Sequence, residues 1–409
     1  MTMTLLLLTS LLAFYLAWNL GANDVANSMG TAVGSKALTL RQALAIAGIL
    51  EFAGALLLGQ QVSATLATQI INPTYFTPSP QEFISGMIAV VLACGVWLNI
   101  ATLFGLPVSS SHAVVGAIAG FAWVASGIDG VAWQAIGLIF LTWTITPLVS
   151  GAIAAVLYRL IKYWILDQPD PLGHLQEWIP WLSAIAVGTF GCLVFPTLGE
   201  KLAAGAPSWI CPEGRILPAQ QIALGGILTL GLAIAAWKPA QTQVESALIP
   251  FQIFSAGFVA FAHGANDVGN AIAPLSAIVY AIETSSIPHE SFATPLWVLV
   301  IGGVGIVGGL ATWGKKVIAT VGEGIIPLQP SVGFCVQWGT AVTVLVASQL
   351  GFPVSTSHAI VGSVVGIGLV RGGVQFKPLR EIALAWVVTI PIAAILTALI
   401  FELIHRVQT

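Results

Sequence analysis

Two polar motifs stand out in this chain because of the side chains they carry and because each is written twice. GANDVAN at 21–27 returns as GANDVGN at 264–270 with six of seven residues identical. GLPVSSSHAVVGAIAG at 105–120 returns as GFPVSTSHAIVGSVVG at 351–366 with ten of sixteen identical. The first motif sets Asp24 and Asp267 inside otherwise apolar stretches, and Glu51 lies in a third. A carboxylate at the centre of a membrane helix costs about 2.5 to 3.5 kcal/mol on insertion scales, so each needs compensation. It can take up a proton, coordinate a metal cation, or pair with a basic side chain. Lysine and arginine keep to the ends of the apolar stretches and the gaps between them, which leaves the first two options. Asp24 and Asp267 are therefore expected to hold a coupling cation, sodium or a proton, with Asn27 and Asn270 as neutral donors beside them. Gly21, Gly264 and Gly30 suggest a backbone that leaves helical geometry there and frees carbonyls for a small hard cation. A plainer role for the same residues is to cap the two halves of a kinked helix. Glu51 has no acidic counterpart in the second half and is either a further cation or proton site or a hydrogen-bond acceptor.

The second motif suits an anion. Pro107 and Pro353 fit a first helical turn, and the hydroxyls of Ser109, Ser110, Ser111, Ser355, Thr356 and Ser357 then lie beside backbone N–H groups that have no intrahelical acceptor. Two such helix starts brought together would present donors and two positive dipole ends without a cationic side chain, which suits a small oxyanion. Capping or helix packing by these hydroxyls is the alternative. His112 and His358 close the motifs as packing residues, ligands or proton relays. His263 has Leu20 as its counterpart, which argues against a symmetric duty. A serine hydrolase built on Ser111 and His112 is disfavoured, since adjacent helical residues point about 100° apart. The run IGGVGIVGG at 301–309 reads as a small-residue packing face, and Pro147 and Pro391 as kinks.

The elements that must position these groups follow from composition. Of 409 residues 57% are hydrophobic and 7% charged, far below the roughly 25% charged of soluble domains, so the chain is a membrane protein. Apolar stretches fall near 4–33, 42–60, 83–104, 107–126, 131–158, 180–198, 216–237, 249–281, 294–313, 330–350, 353–371 and 379–404. The expected fold is an all-α polytopic membrane protein of about twelve helical segments, with broken helices at its centre and with 83–126 and 330–371 as re-entrant hairpins. A net charge of −3 gives no reason to expect a nucleic-acid partner. Cys94, Cys192, Cys211 and Cys335 show no metal-ligand spacing; a Cys192–Cys211 disulfide is one option. The first segment lacks the basic start of a signal peptide. Assigning the gaps alternately to the two sides puts most basic residues, Lys36, Arg41, Arg159 and Lys162 among them, on one face. That face is expected to be cytoplasmic, with both termini outside.

The motif offsets of 243 and 246 residues make one duplicated half: 1–160 as a first repeat, 161–248 as a connector with two transmembrane helices, and 249–409 as a second repeat. The charge assignment makes the two copies antiparallel. Inverted repeats of this kind are the plan of many secondary transporters.

GANDVANSMGTAVGSKALTLRQA with a glutamate soon after, HGANDVGNAIAPL, and the paired GLPVSSSH and GFPVSTSH together resemble the inorganic phosphate transporter (PiT) family of cation-coupled phosphate symporters. The resemblance touches both halves. It implies import of inorganic phosphate with sodium, or protons, by alternating access, in a plasma membrane or bacterial inner membrane, as a homodimer and without a cofactor. It also implies that Asn23 and Asn266 join Ser109–Ser111 and Ser355–Ser357 around the anion, and that Asp24, Asn27, Asp267, Asn270 and Glu51 hold the coupling ion, with sodium on Asp24 and Asp267. Animal members carry a glutamate where this chain has Gln337, which makes Gln337 a further coupling position. Some members carry sulfate, and a passive anion channel is the reading from another class.

Overall fold

The computed structural model describes residues 2–104, 106, 108–205, 218–237, 243–289, 292–315 and 329–408. Among these, twelve helices make up the chain: α1 (Thr2–Gly34), α2 (Leu40–Thr68), α3 (Pro80–Leu103), α4 (Ser110–Ser126), α5 (Trp133–Ile161), α6 (Pro171–Gly205), α7 (Pro218–Ala236), α8 (Val244–Thr284), α9 (Leu296–Thr312), α10 (Pro330–Gln349), α11 (Thr356–Arg371) and α12 (Phe376–Gln408). Eight are long and apolar enough to cross a bilayer, and α4, α7, α9 and α11 are shorter apolar helices. Each of the twelve apolar stretches of the sequence holds one of these helices. Cys211 lies outside the described residues; Cys192 is a free, exposed thiol.

The inversion can be read from close approaches. Gly54 of α2 packs on the Phe261 carbonyl of α8 so tightly that a Cβ would collide with it, and Gly269 of α8 meets Ser63 of α2 further along. Residue numbers rise together on both helices, so α2 and α8 run parallel. In the same way Gly305 meets Ala17, and Gly309 meets Trp18 and Ala22, so α1 and α9 run parallel. A five-residue turn returns α1 into α2 alongside it. The two motif helices α1 and α8 therefore point in opposite directions. The paired contacts also give the register: Gly54–Phe261 and Gly309–Trp18 are the same contact made twice, which equates Glu51 with Ile306 and His263 with Leu20.

Each repeat is completed by the other. α4 packs along α12 of the second repeat, with Gly116 against Ile390 and Gly120 against Ala394. α11 packs along α5 of the first, with Gly362 on Pro147 and Gly366 on Gly151. Small residues are what allow backbones to come this close in lipid, where burial of apolar surface gives no separate drive to associate. The turns that join α3 to α4 and α10 to α11 sit level with the middle of α8, since Val354 reaches Asn266 and Ser111 reaches Asn270.

One expectation is corrected. The motif helices are not broken: α1 and α8 run as continuous helices through GANDVAN and GANDVGN. The amide side chains of Asn23, Asn27, Asn266 and Asn270 bond to the neighbouring aspartates, leaving the helical ladder undisturbed. Gly21 and Gly264 serve contact instead of unwinding, because a Cβ at either would strike the backbone of Ile306 or of Glu51. The breaks at mid-membrane are the two PVS turns.

Replacing Gly54 by Leu should lower stability in detergent by about 1 to 3 kcal/mol through overpacking against α8. Gly137→Leu, where nothing lies within 4 Å of an added Cβ, should leave it nearly unchanged. Thermal unfolding of the two purified variants reads the difference.

Candidate functional site

In the last third of α1, Asp24 Oδ1 accepts from Asn23 Nδ2 and Asn27 Nδ2, both at 3.1 Å. On α8, Asp267 Oδ1 accepts from Asn266 Nδ2 at 2.8 Å and Asn270 Nδ2 at 3.0 Å. Spacings of one and three residues place both amides over the same carboxylate on a helix face. The hairpins add a second matched pair: Thr102 donates to Asn23 Oδ1 at 3.4 Å, and Ser348 to Asn266 Oδ1 at 3.3 Å. Thr356 donates to Asp267 Oδ2 at 3.2 Å, and its counterpart Ser110 stands beside Asp24.

The two copies differ in access. Asn266, Asn270 and Ser111 are fully buried, whereas their counterparts Asn23, Asn27 and Ser357 are partly exposed. On the buried side Asn266 Nδ2 and the Ser111 hydroxyl both donate to the Val354 carbonyl, at 2.6 and 2.9 Å, and Asn270 Nδ2 donates to Ser111 at 3.0 Å. The second PVS turn is thus sealed onto α8.

His263 breaks the symmetry further. Its Nε2 lies 2.7 Å from Asp267 Oδ2 and its Nδ1 lies 3.2 Å from Glu51 Oε1, with all three side chains fully buried. One ligand atom each from Asp24, His263 and Asp267 fall within 4.8 Å of one another. Sequence reasoning set His263 aside because Leu20 replaces it in the first repeat. That mismatch was the signal, since Glu51 is equally unmatched and its structural counterpart is Ile306. The α2–α8 contact carries a glutamate–histidine pair where its mirror, the α9–α1 contact, carries isoleucine and leucine.

Glu51 Oε1 also accepts from the Ser28 hydroxyl at 3.1 Å. The Ser28 carbonyl accepts from Gln337 Nε2 at 3.0 Å, and Gln337 Oε1 accepts from Ser255 at 3.2 Å. Gln337 therefore reaches Glu51 through Ser28 with both ends of its amide engaged. Asp24 Oδ2, Glu51 Oε2 and Asn270 Oδ1 are buried without a protein partner, and each is an oxygen of the kind a hard cation takes.

Behind this centre the two helix starts are held by crossed contacts. Ser109 Oγ accepts from His112 N and Ser355 Oγ from His358 N, as N-caps; Ser357 pairs with Ser355 at 2.8 Å. His112 stacks near Trp143 of its own repeat, with ring centroids 3.9 Å apart, while its Nδ1 lies 3.2 Å from the Trp386 carbonyl of the other. His358 mirrors this with Trp386 at 3.6 Å and the Trp143 carbonyl at 3.3 Å. Pro147 has no N–H to offer the carbonyl four residues back, so the Trp143 carbonyl is open to His358. Trp143 Nε1 also donates to Pro353 O at 2.7 Å. Trp143 thus holds the second PVS turn through its indole and His358 through its carbonyl.

Buried carboxylates beside two inward helix starts, on an inverted pair of repeats, define an integral membrane transporter rather than an enzyme. The family comparison agrees, since the model of the phosphate transporter family matches residues 20–397. The chain belongs to that family. A relative named "Putative phosphate permease" from Thermococcus kodakarensis is 38% identical over 403 residues, covering 98% of this chain and 97% of its own. Inorganic phosphate transporter 2-1, chloroplastic, of Arabidopsis thaliana is 36% identical over 418 residues, covering 96% of this chain and 70% of its own. A solved structure described as the sodium-dependent phosphate transporter superposes with a TM-score of 0.88 at 35% identity, covering 98% of this chain and 99% of that one.

Removing His263 alone should be severe, because Glu51 and Asp267 would be left buried and unpaired. His263→Leu is expected to cost about 3 to 5 kcal/mol. Adding Glu51→Ile, which rebuilds the leucine–isoleucine pair of the α1–α9 contact, should recover part of that stability. A double-mutant cycle on thermal unfolding measures the coupling.

Proposed function

We propose that this protein imports inorganic phosphate together with a cation, sodium in the first place and a proton as the alternative ion, by alternating access. The observation that carries this reading is the meeting of three buried carboxylates with two helix N-termini inside a bundle of membrane-spanning helices. A phosphate anion approaching Asp24, Asp267 and Glu51 meets like charge. It can settle there only with positive charge between them, and one histidine is the only basic side chain that touches these carboxylates among the described residues. Sodium on Asp24 and Asp267, with Asn27, Asn270 and the Glu51 network behind, supplies that charge from solution. The relative whose structure superposes so closely is described as sodium-dependent, which supports sodium over the proton.

In this scheme the backbone N–H groups and hydroxyls of Ser109–Ser111 and Ser355–Ser357 face the anion, with Asn23 and Asn266 completing the ring. Because Asn23, Asn27 and Ser357 are partly exposed while their counterparts are sealed, the present conformation would load from one side. Exchanging the conformations of the repeats would unseal Asn266 and Asn270 and close the first set. Each net positive charge carried inward gains about 2.3 kcal/mol per 100 mV of inside-negative potential, enough to draw in an anion when cations exceed its charge. The protein would work as a homodimer in a plasma membrane or bacterial inner membrane with both termini outside.

In proteoliposomes an inward sodium gradient should accelerate uptake of labelled phosphate, and an imposed proton gradient should do so less. Asp24→Asn and Asp267→Asn should each reduce gradient-driven uptake by about ten- to hundredfold while the protein still inserts. Uptake indifferent to both gradients would remove the coupling, and excess sulfate competing as well as phosphate would reassign the anion.

A further inference from the structure

Away from the centre, a groove of 840 Å³ opens on the outer surface between α5 and α11. Its floor is Gly151, Gly362 and Gly366, where the two helices touch, and its walls are apolar, with Leu148 and Leu369 each 68% exposed. One end carries Arg159, Lys162 and Tyr163, with Asp167 as the one acidic neighbour; Trp386 also lines the groove. Neither Arg159 nor Lys162 forms an ion pair among the described residues. Beyond α5 the chain makes a short π-helical turn over Lys162–Leu166. That turn exposes Tyr163 and Trp164, the aromatic pair expected where a helix leaves the hydrocarbon for the headgroup layer.

We propose that this groove is a binding site for an anionic phospholipid. A surface crevice that is apolar along its length and doubly basic at the membrane–water boundary matches one ligand chemistry: acyl chain against the walls, phosphodiester between Arg159 and Lys162. Arginine offers the phosphate a planar fork and lysine a point charge, and both reach the boundary on long apolar stems. Asp167 weakens but does not cancel the pair, which leaves a net positive end. The lipid would lie in the leaflet to which the basic residues are assigned, the leaflet where anionic lipid attracts basic side chains. Free phosphate has no use for the apolar walls.

The site also touches the moving parts. Trp386 is the residue that stacks on His358 and whose carbonyl faces His112, and Pro147 is the residue that leaves the Trp143 carbonyl open to His358. A chain seated against Trp386, Gly151 and Gly366 fills the seam between α5 and α11, so its presence would bias how the second hairpin sits on the first repeat.

The full-length protein, purified in detergent and exposed to equal parts of phosphatidylglycerol and phosphatidylcholine, should retain phosphatidylglycerol preferentially in native mass spectrometry. The double variant Arg159→Ala, Lys162→Ala should lose that preference by about tenfold or more, whereas Arg406→Ala, on the exposed end of α12, should keep it. Ala152→Trp, which fills the groove without touching the charges, should also release the lipid. Equal retention of both lipids by the unaltered protein, or undiminished phosphatidylglycerol on the double variant, would overturn the proposal. So would rapid disulfide-linked dimers of Ala152→Cys, absent from the parent, because a second copy of the chain would then cover the groove. None of these readouts depends on transport, so they stand apart from the proposed phosphate import.

Discussion

The whole interior is arranged around negative charge held in a place that disfavours it. Asp24, Asp267 and Glu51 are buried within apolar, membrane-spanning helices, where a carboxylate is stabilised by a proton, a cation or a basic neighbour. Among the described residues no lysine or arginine pairs with them, amides of four asparagines satisfy one oxygen of each aspartate, and a single histidine bridges Glu51 to Asp267. What is left are carboxylate and amide oxygens with no protein partner, Asp24 Oδ2, Glu51 Oε2 and Asn270 Oδ1. A fixed lysine there would neutralise the site permanently. Here a histidine is the one basic group in contact with the carboxylates among the described residues, and the remaining oxygens stay open.

Holding that cluster requires both repeats at once. The carboxylates come from α1, α2 and α8, and the hydroxyls come from the hairpins, whose second helices are gripped by the closing helix of the opposite repeat. Pseudo-symmetry supplies two near-identical half-sites, and the departures from it carry information. Leu20 and Ile306 stand where the second arrangement has His263 and Glu51, so the extra charge is all on one side. The sealed Val354 carbonyl gives one half-site a buried set of donors and leaves the other partly open.

Much of this was legible in the chain. Doubled motifs announce two copies, the apolar windows mark all twelve helices, and the basic residues give opposite directions to the copies. The local geometry of GANDVAN was not legible, because the glycines that suggest unwinding serve close helix contact, and only a neighbouring backbone reveals that. His263 was hidden for a related reason. Comparing repeats by aligned position draws attention to what is shared, while a bridge between Glu51 and Asp267 depends on α2 and α8 lying side by side, a long-range fact that no single segment encodes. Gln337 lies one step behind the cluster for the same reason: its link to Glu51 passes through the two ends of Ser28.

The pairing of α2 with α8 bears on biosynthesis. At roughly 5 to 20 residues per second, α8 leaves the ribosome about ten seconds or more after α2 has entered the bilayer. Through that interval Gly54 has no backbone to pack against and the Glu51 carboxylate has no imidazole. The contacts that join α2 to α8 can form only when the second half arrives. Quality control in the translocating membrane therefore has a definite moment to act upon: the appearance of His263.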